Sequence, residues 1–162
     1  MPFLAVTVTA SDDKNSLVIR DPSQSDEADW RRLWAGYCSF YERNVPEAVT
    51  AATWKRMVTP GSPLFGRIAQ IKEGVAGFTI SIIHEGSWTL HPNCYLEDLF
   101  VAPKARGHGV GRALIQDLLA LAKKHHWSRL YWHTRKGNAP ARRLYDEFAA
   151  ADDFVRYRLT LD

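Results

Sequence analysis

Cysteine is scarce in this chain: two residues in 162, Cys38 and Cys94, far apart and in no metal-ligand spacing. That excludes a small disulfide-stapled fold and a zinc ribbon, and the expectation is two buried free thiols in a cytoplasmic protein. Long apolar runs are missing too. Nothing approaches the roughly eighteen consecutive apolar residues of a membrane span, and no basic stretch precedes the short apolar start at Phe3, so neither a span nor a signal peptide is expected. The six histidines stand at no ligand spacing. His125-His126 reads as favourable charge at a helix end, and no metal is expected. Acids are scarce in one region only. Between Lys104 and Arg143 there are ten of the 21 Lys and Arg residues and a single acid, Asp117, whereas residues 1–103 carry nine bases and twelve acids. The net charge of +3 hides this asymmetry. One half suits a polyphosphate ligand and the other a cationic amine. No nucleic-acid motif accompanies the basic half, so nucleic acid is not expected as a partner.

What is present describes a globule with a sizeable core: 46% hydrophobic and 24% charged over a length that suits one domain, residues 1–162. Residues 1–14 read as an extra edge strand or a loose leader, and the sequence leaves both open. Leu17 to Arg20 reads as a strand stopped by Asp21-Pro22. A helix follows with Ser25 as its cap and Trp30, Leu33, Trp34, Tyr37, Cys38 and Tyr41 on one stripe. A second helix starts at Pro46-Glu47, carries Val49, Thr53 and Met57, and stops at Thr59-Pro60-Gly61. Phe65 to Ile71 and Val75 to His84 are strands joined at Lys72-Glu73-Gly74. In the next strand, Cys94 to Val101, Leu96 and Leu99 stand three apart, so strict alternation slips by one residue and a bulge is required. Glu97 and Asp98 then point one to each face, and the inward one wants a role or a partner. A long helix from Val110 to about His125, a strand from Ser128 to Thr134, a helix from Asn138 to about Ala150 capped by Asn138, and a last strand from Phe154 to Leu161 complete the order. Such a mixed order implies an α/β fold with a partly antiparallel sheet of six to seven strands flanked by four helices.

The stretch from Leu99 to Arg112 joins an apolar strand to a helix through a short basic turn and glycines at 107, 109 and 111. Glycines there let backbone N–H groups converge on phosphate oxygens beside a positive helix end. Gly111 is followed by Arg112 and Ala113, so the Gly-Lys-Ser/Thr ending of a nucleotide triphosphate loop is missing. A dinucleotide fold would want its glycines after the first strand and an acid at the end of the second. Here the strand after the helix ends at His133-Thr134.

The element Arg106-x-x-Gly109-x-Gly111 resembles the coenzyme A pyrophosphate loop of the GNAT superfamily of N-acetyltransferases. Tyr95 to Val101, Trp127 to Thr134 and Asn138 to Tyr145 strengthen the likeness, which runs from about Leu17 to the end. The resemblance implies a GNAT-like fold and acetyl-CoA as co-substrate. It implies that the backbone of Leu99, Phe100 and Val101 holds the acetyl group and pantetheine. Gly107, His108, Gly109, Val110, Gly111 and Arg112, with Lys104 and Arg106 beside them, would hold the pyrophosphate. Asn138 and Tyr145, seven residues apart, share one helical face. By the likeness Asn138 borders the cofactor and Tyr145 is the general acid that protonates the departing thiolate. Glu97 resembles in position the carboxylate that polyamine and thialysine acetyltransferases use as a base through water, and Asp98 would bind a cationic substrate. Apart from the likeness, the helical stripe itself offers Trp30, Trp34, Tyr37 and Tyr41 as rings to wall a cleft around an aliphatic amine. The likeness also implies a homodimer, and it covers relatives acting on polyamines, thialysine or free amino acids, and others reported to acetylate histones or D-amino acids. The alternatives are a protein or histone lysine acetyltransferase and a non-catalytic acyl-CoA-binding module, although such a binder needs neither Glu97 nor Tyr145. Asp153-Phe154 stands where the family commonly has Gly-Phe before the last strand.

Overall fold

The computed structural model describes residues 16–161, so the reading of residues 1–14 lies outside the described residues. Five strands form one sheet in the order β1-β2-β3-β4-β5: β1 (Val18–Arg20), β2 (Leu64–Ile71), β3 (Gly74–His84), β4 (Asn93–Val101) and β5 (Arg129–Trp132). The first four are antiparallel in turn, and β5 runs parallel to β4. Helices α1 (Glu27–Phe40) and α2 (Glu47–Val58) cover one face. Helix α3 (Val110–Lys124) covers the other, and α4 (Ala139–Tyr145) follows β5.

The strand pattern sorts the core into two layers. Trp30 and Leu33 of α1 and Trp54 and Met57 of α2 pack on Ile68, Phe78, Ile80 and Phe100. On the opposite face, Val110, Leu114, Leu118 and Leu121 of α3 pack on Ala69, Ala76, Cys94 and Leu96. Val49 of α2 is exposed; the buried stripe there is Thr50, Thr53, Trp54 and Met57. Arg67 of β2 has no exposed surface and lies under α3, where Asp117 accepts both arms of its fork at 2.7 and 2.9 Å and Asp21 pairs with a third nitrogen. The acid on the apolar stripe of α3 is thus the partner of a buried guanidinium.

Three local expectations are corrected. Ser23, not Ser25, opens the first helical segment, a 3-10 turn at Gln24–Asp26 that runs into α1. Asp26 turns back to accept the Ser23 N–H at 2.7 Å and the fork of Arg20 at 2.7 Å on each oxygen, and the Arg20 fork holds its carboxyl down to about 2. Asn138 does stand at the N-cap position of α4, but its side chain makes no capping bond; its amide donates to the Thr134 hydroxyl at 3.1 Å. Beyond Tyr145 the helix stops, and Phe154 to Leu161 pair with no strand among the described residues, so five strands are seen where six to seven were expected. Phe154, Tyr157 and Leu159 are 83, 92 and 83% exposed. Alternation makes a segment able to join a sheet; an edge to accept it makes it a strand.

Candidate active site

The bulge in β4 is where the sequence placed it. Ile80 pairs with Asp98 and the next residue, Ser81, pairs with Leu96, so Glu97 is the inserted residue. The insertion lets Leu96 and Leu99 both face α3 while Asp98 and Phe100 face α1. Asp98 is therefore the inward acid. The Tyr37 hydroxyl of α1 donates to its Oδ1. Burial, partly offset by that bond and reinforced by the charge of Glu97, pushes the Asp98 carboxyl up to about 6. Burial first, and the Asp98 charge second, drive the Tyr37 phenol far above its ordinary range. Glu97 stands on the open side of the strand; partial burial of its carboxyl raises it, and the charge of Arg156 pulls the other way.

Strand β5 pairs with β4 only from Asn93 to Leu96. Past the bulge the β5-side edge of Leu99 to Val101 has no strand partner among the described residues, and the gap opens into a cleft of about 540 Å³, within the range of about 300–1,000 Å³ for small-molecule sites. Leu99, Phe100 and Val101 form one wall. Arg106, Gly107, Gly109, Val110, Gly111 and Arg112 form the floor, and Asn138, Leu144 and Tyr145 close it from α4. His108 is outside the lining, its ring turned to hydrogen-bond the Arg106 carbonyl at 2.9 Å.

The glycine turn has the shape a phosphate cradle requires. Gly107 and Gly109 hold φ of +78° and +80°, and nothing lies within 4 Å of where a Cβ would stand on either. Gly109 is the cap of α3, so the first N–H groups of the helix lack intrahelical partners, and the residues that carry them, Val110 to Arg112, line the cleft. Gly111, also in the lining, is packed more closely, since a Cβ there would come 3.1 Å from Leu144 of α4. Of the charges beside the turn, Arg106 bends over Phe100 at 5.5 Å and donates to the Val101 carbonyl at 3.0 Å. Arg112 is committed to a fork on Glu147.

Tyr145 lies half-buried in the cleft, edge-on to Trp132 at 5.5 Å. Burial, with a contribution from Tyr41, pushes its phenol up to about 12, so it carries its proton at any working pH. Tyr37 lines the cleft, but Trp34 sits one ring deeper, stacked between Trp30 and Tyr37 at 5.5 Å from each and donating to the Thr50 hydroxyl at 3.2 Å. Tyr41, expected from the helical stripe as a cleft wall, lines the cleft and contacts Tyr37 at 4.9 Å, whereas Trp30 of the same stripe is fully buried and does not line it. Arg135, over the Tyr41 ring at 5.1 Å, carried no motif that would have singled it out. Among the described residues no group of three or more His, Cys, Asp or Glu is arranged to hold a metal ion.

Against known proteins, residues 28–149 match the profile of the Acetyltransferase (GNAT) family. The chain is 32% identical over 144 residues to the D-amino-acid N-acetyltransferase HPA3 of Saccharomyces cerevisiae (strain ATCC 204508 / S288c), covering 88% of this chain and 89% of that one. Among solved structures it is similar in fold to a ribosomal-protein-alanine N-acetyltransferase from Brucella melitensis biovar Abortus 2308, with a TM-score of 0.74 at 21% identity over 90% of this chain and 99% of that one. It is equally similar to AAC(6')-Iy solved with a bisubstrate analog of CoA, with a TM-score of 0.74 at 19% identity and coverage of 90% and 99%. A profile match over most of the chain, and a named relative aligned over nearly nine-tenths of it, together with the GNAT fold, mean that this chain belongs to the GNAT family and is an acetyl-CoA-dependent N-acetyltransferase.

Proposed function

We propose that this enzyme acetylates the primary amine of a small acceptor that is cationic at neutral pH, a polyamine, a lysine-like compound or another amino acid, by direct attack on the thioester. The observation that carries this reading is that Tyr37, whose hydroxyl donates to Asp98 at the bulge, and Tyr145 of α4 line one cleft. The residues fit acetyl-CoA, because Gly107 and Gly109 leave open space beside a helix start and β4 presents an unpartnered edge. In this reading the turn from Gly107 to Gly111 holds the pyrophosphate, and Leu99 to Val101 hold the pantetheine and the acetyl carbonyl through their backbone. Acetyl-CoA supplies the acetyl group in activated form. Asp98 holds the ammonium, and Glu97 removes its proton through a water so that a neutral nitrogen attacks. Tyr145 donates its proton to the sulfur as the carbon–sulfur bond breaks, and the product is the amide. The relative's printed activity on D-amino acids supports an amino acid within this acceptor class.

Release of free thiol from acetyl-CoA, measured across polyamines, lysine analogues, amino acids of both hands and basic peptides, tests the proposal. Turnover with the small amines supports it, whereas turnover with basic peptides alone overturns the small-acceptor reading. The reading extends to a single catalytic domain working in the cytoplasm, supported by the free thiols Cys38 and Cys94. It also includes a homodimer, supported by the exposed apolar side chains of Phe154 to Leu161, an alternating segment without a strand partner among the described residues.

A further inference from the structure

We propose that Arg135 is a specificity residue that binds the carboxylate of an amino-acid acceptor, an assignment that rests on the acetyl-transfer reading above and narrows its acceptor to a zwitterion. Arg135 lies in the short connection between β5 and α4. That connection is pinned by its own backbone: the Asn138 N–H donates to the Arg135 carbonyl at 2.9 Å, and Arg142 donates to the Lys136 carbonyl at 3.0 Å. The guanidinium rests on the Tyr41 ring at 5.1 Å. Of the two arginines that rest on rings lining the cleft, Arg106 spends its Nε on the Val101 carbonyl, while among the described residues Arg135 makes no ion pair. Its planar donors remain available to a carboxylate, which such a fork binds in bidentate fashion.

Its position supplies the second half of the argument. Tyr41 contacts Tyr37 at 4.9 Å, and Tyr37 donates to Asp98. The Tyr41 hydroxyl feels both the positive charge of Arg135 and the negative charge of Asp98. Opposite charges thus flank one aromatic pair beside Tyr145. An acceptor with an amine at one end and a carboxylate near it matches both poles. A diamine matches one pole only, because the aromatic face that would receive its second ammonium is already covered by a guanidinium, and like charges repel across it.

The test compares methionine, in both enantiomers, with 3-(methylthio)propylamine, which is the same molecule without its carboxylate. The readouts are kcat and KM for the wild type, Arg135→Met and Arg135→Lys, with acetyl-CoA affinity measured by calorimetry. The expected result is a wild-type preference for methionine. Arg135→Met then loses about 10- to 100-fold in kcat/KM for methionine through KM, the scale of one charge-assisted bidentate contact. For the amine it holds or gains, and Arg135→Lys recovers part of the loss. Wild-type turnover of the amine with no preference for methionine overturns the role of Arg135 while leaving the acetyl-transfer reading intact. Equal losses on both acceptors, or weakened acetyl-CoA binding in Arg135→Met, also overturn it. Failure of the wild type on every amine overturns the acetyl-transfer reading itself and this assignment with it.

Discussion

Asp98 is the residue at which stability and chemistry pull against each other. Its carboxyl titrates near 3.8 when unfolded and is pushed to about 6 in the fold, chiefly by burial. A raised carboxyl stabilises the fold only while it is protonated, so its contribution is present below the unfolded value and is lost as pH rises through about 6. Asp98→Asn should therefore raise the melting temperature at pH 7.5, with the gain vanishing at pH 4; calorimetric scans at the two values check this. The same substitution should lower activity and remove a rise of kcat/KM through about pH 6, because the ionised carboxylate is the form that holds an ammonium. An unchanged pH profile would take Asp98 out of the acceptor site. Tyr145 makes a simpler case. Tyr145→Phe should keep acetyl-CoA affinity and lower kcat by about 10²-fold, the scale of losing a general acid. Wild-type turnover would leave Tyr145 as the packing partner of Trp132.

At the scale of elements, α3 has two tasks that meet on one helix. Its start is the glycine turn, and its middle carries Asp117 to the buried Arg67. Gly109→Val should weaken acetyl-CoA binding far more than it weakens folding. The branched side chain meets no protein atom but stands in the cradle, while the φ of +80° adds a strain of about 1–3 kcal/mol. Calorimetry on the folded variant decides it. Asp117→Asn should cost about 3–5 kcal/mol in denaturant unfolding, because it leaves the Arg67 guanidinium buried with half its partner. Replacing both residues with apolar ones should cost less than that single change, since the carboxylate then left without its partner, Asp21, is partly exposed and reaches water.

The whole molecule shows where the sequence sufficed. Alternation, the hairpin glycine at 74, the bulge between Leu96 and Leu99 and the glycine turn at 107–111 are local signals, and each element they mark forms within a residue or two of its expected bounds. The segment from Phe154 to Leu161 carries an equally clear alternation and forms no strand, because pairing depends on a partner edge. If that edge belongs to a second copy, sedimentation should show a dimer for the full chain and a monomer for a chain ending at Asp153. A full chain that sediments as a monomer would end the homodimer reading. Residue types and spacing by themselves determined the fold class, the bulge in β4 and the glycine turn before α3, because each depends on dihedral preference or periodicity over a few neighbours. Only the tertiary structure decided that Asp98 rather than Glu97 faces inward to Tyr37, that Trp34 stops one ring short of the cleft, that Glu147 takes Arg112, and that Arg135 rests on Tyr41. The pairs Tyr37–Asp98, Arg112–Glu147 and Tyr41–Arg135 lie 61, 35 and 94 positions apart in sequence, and such pairings are set by how the layers pack, which no local pattern encodes.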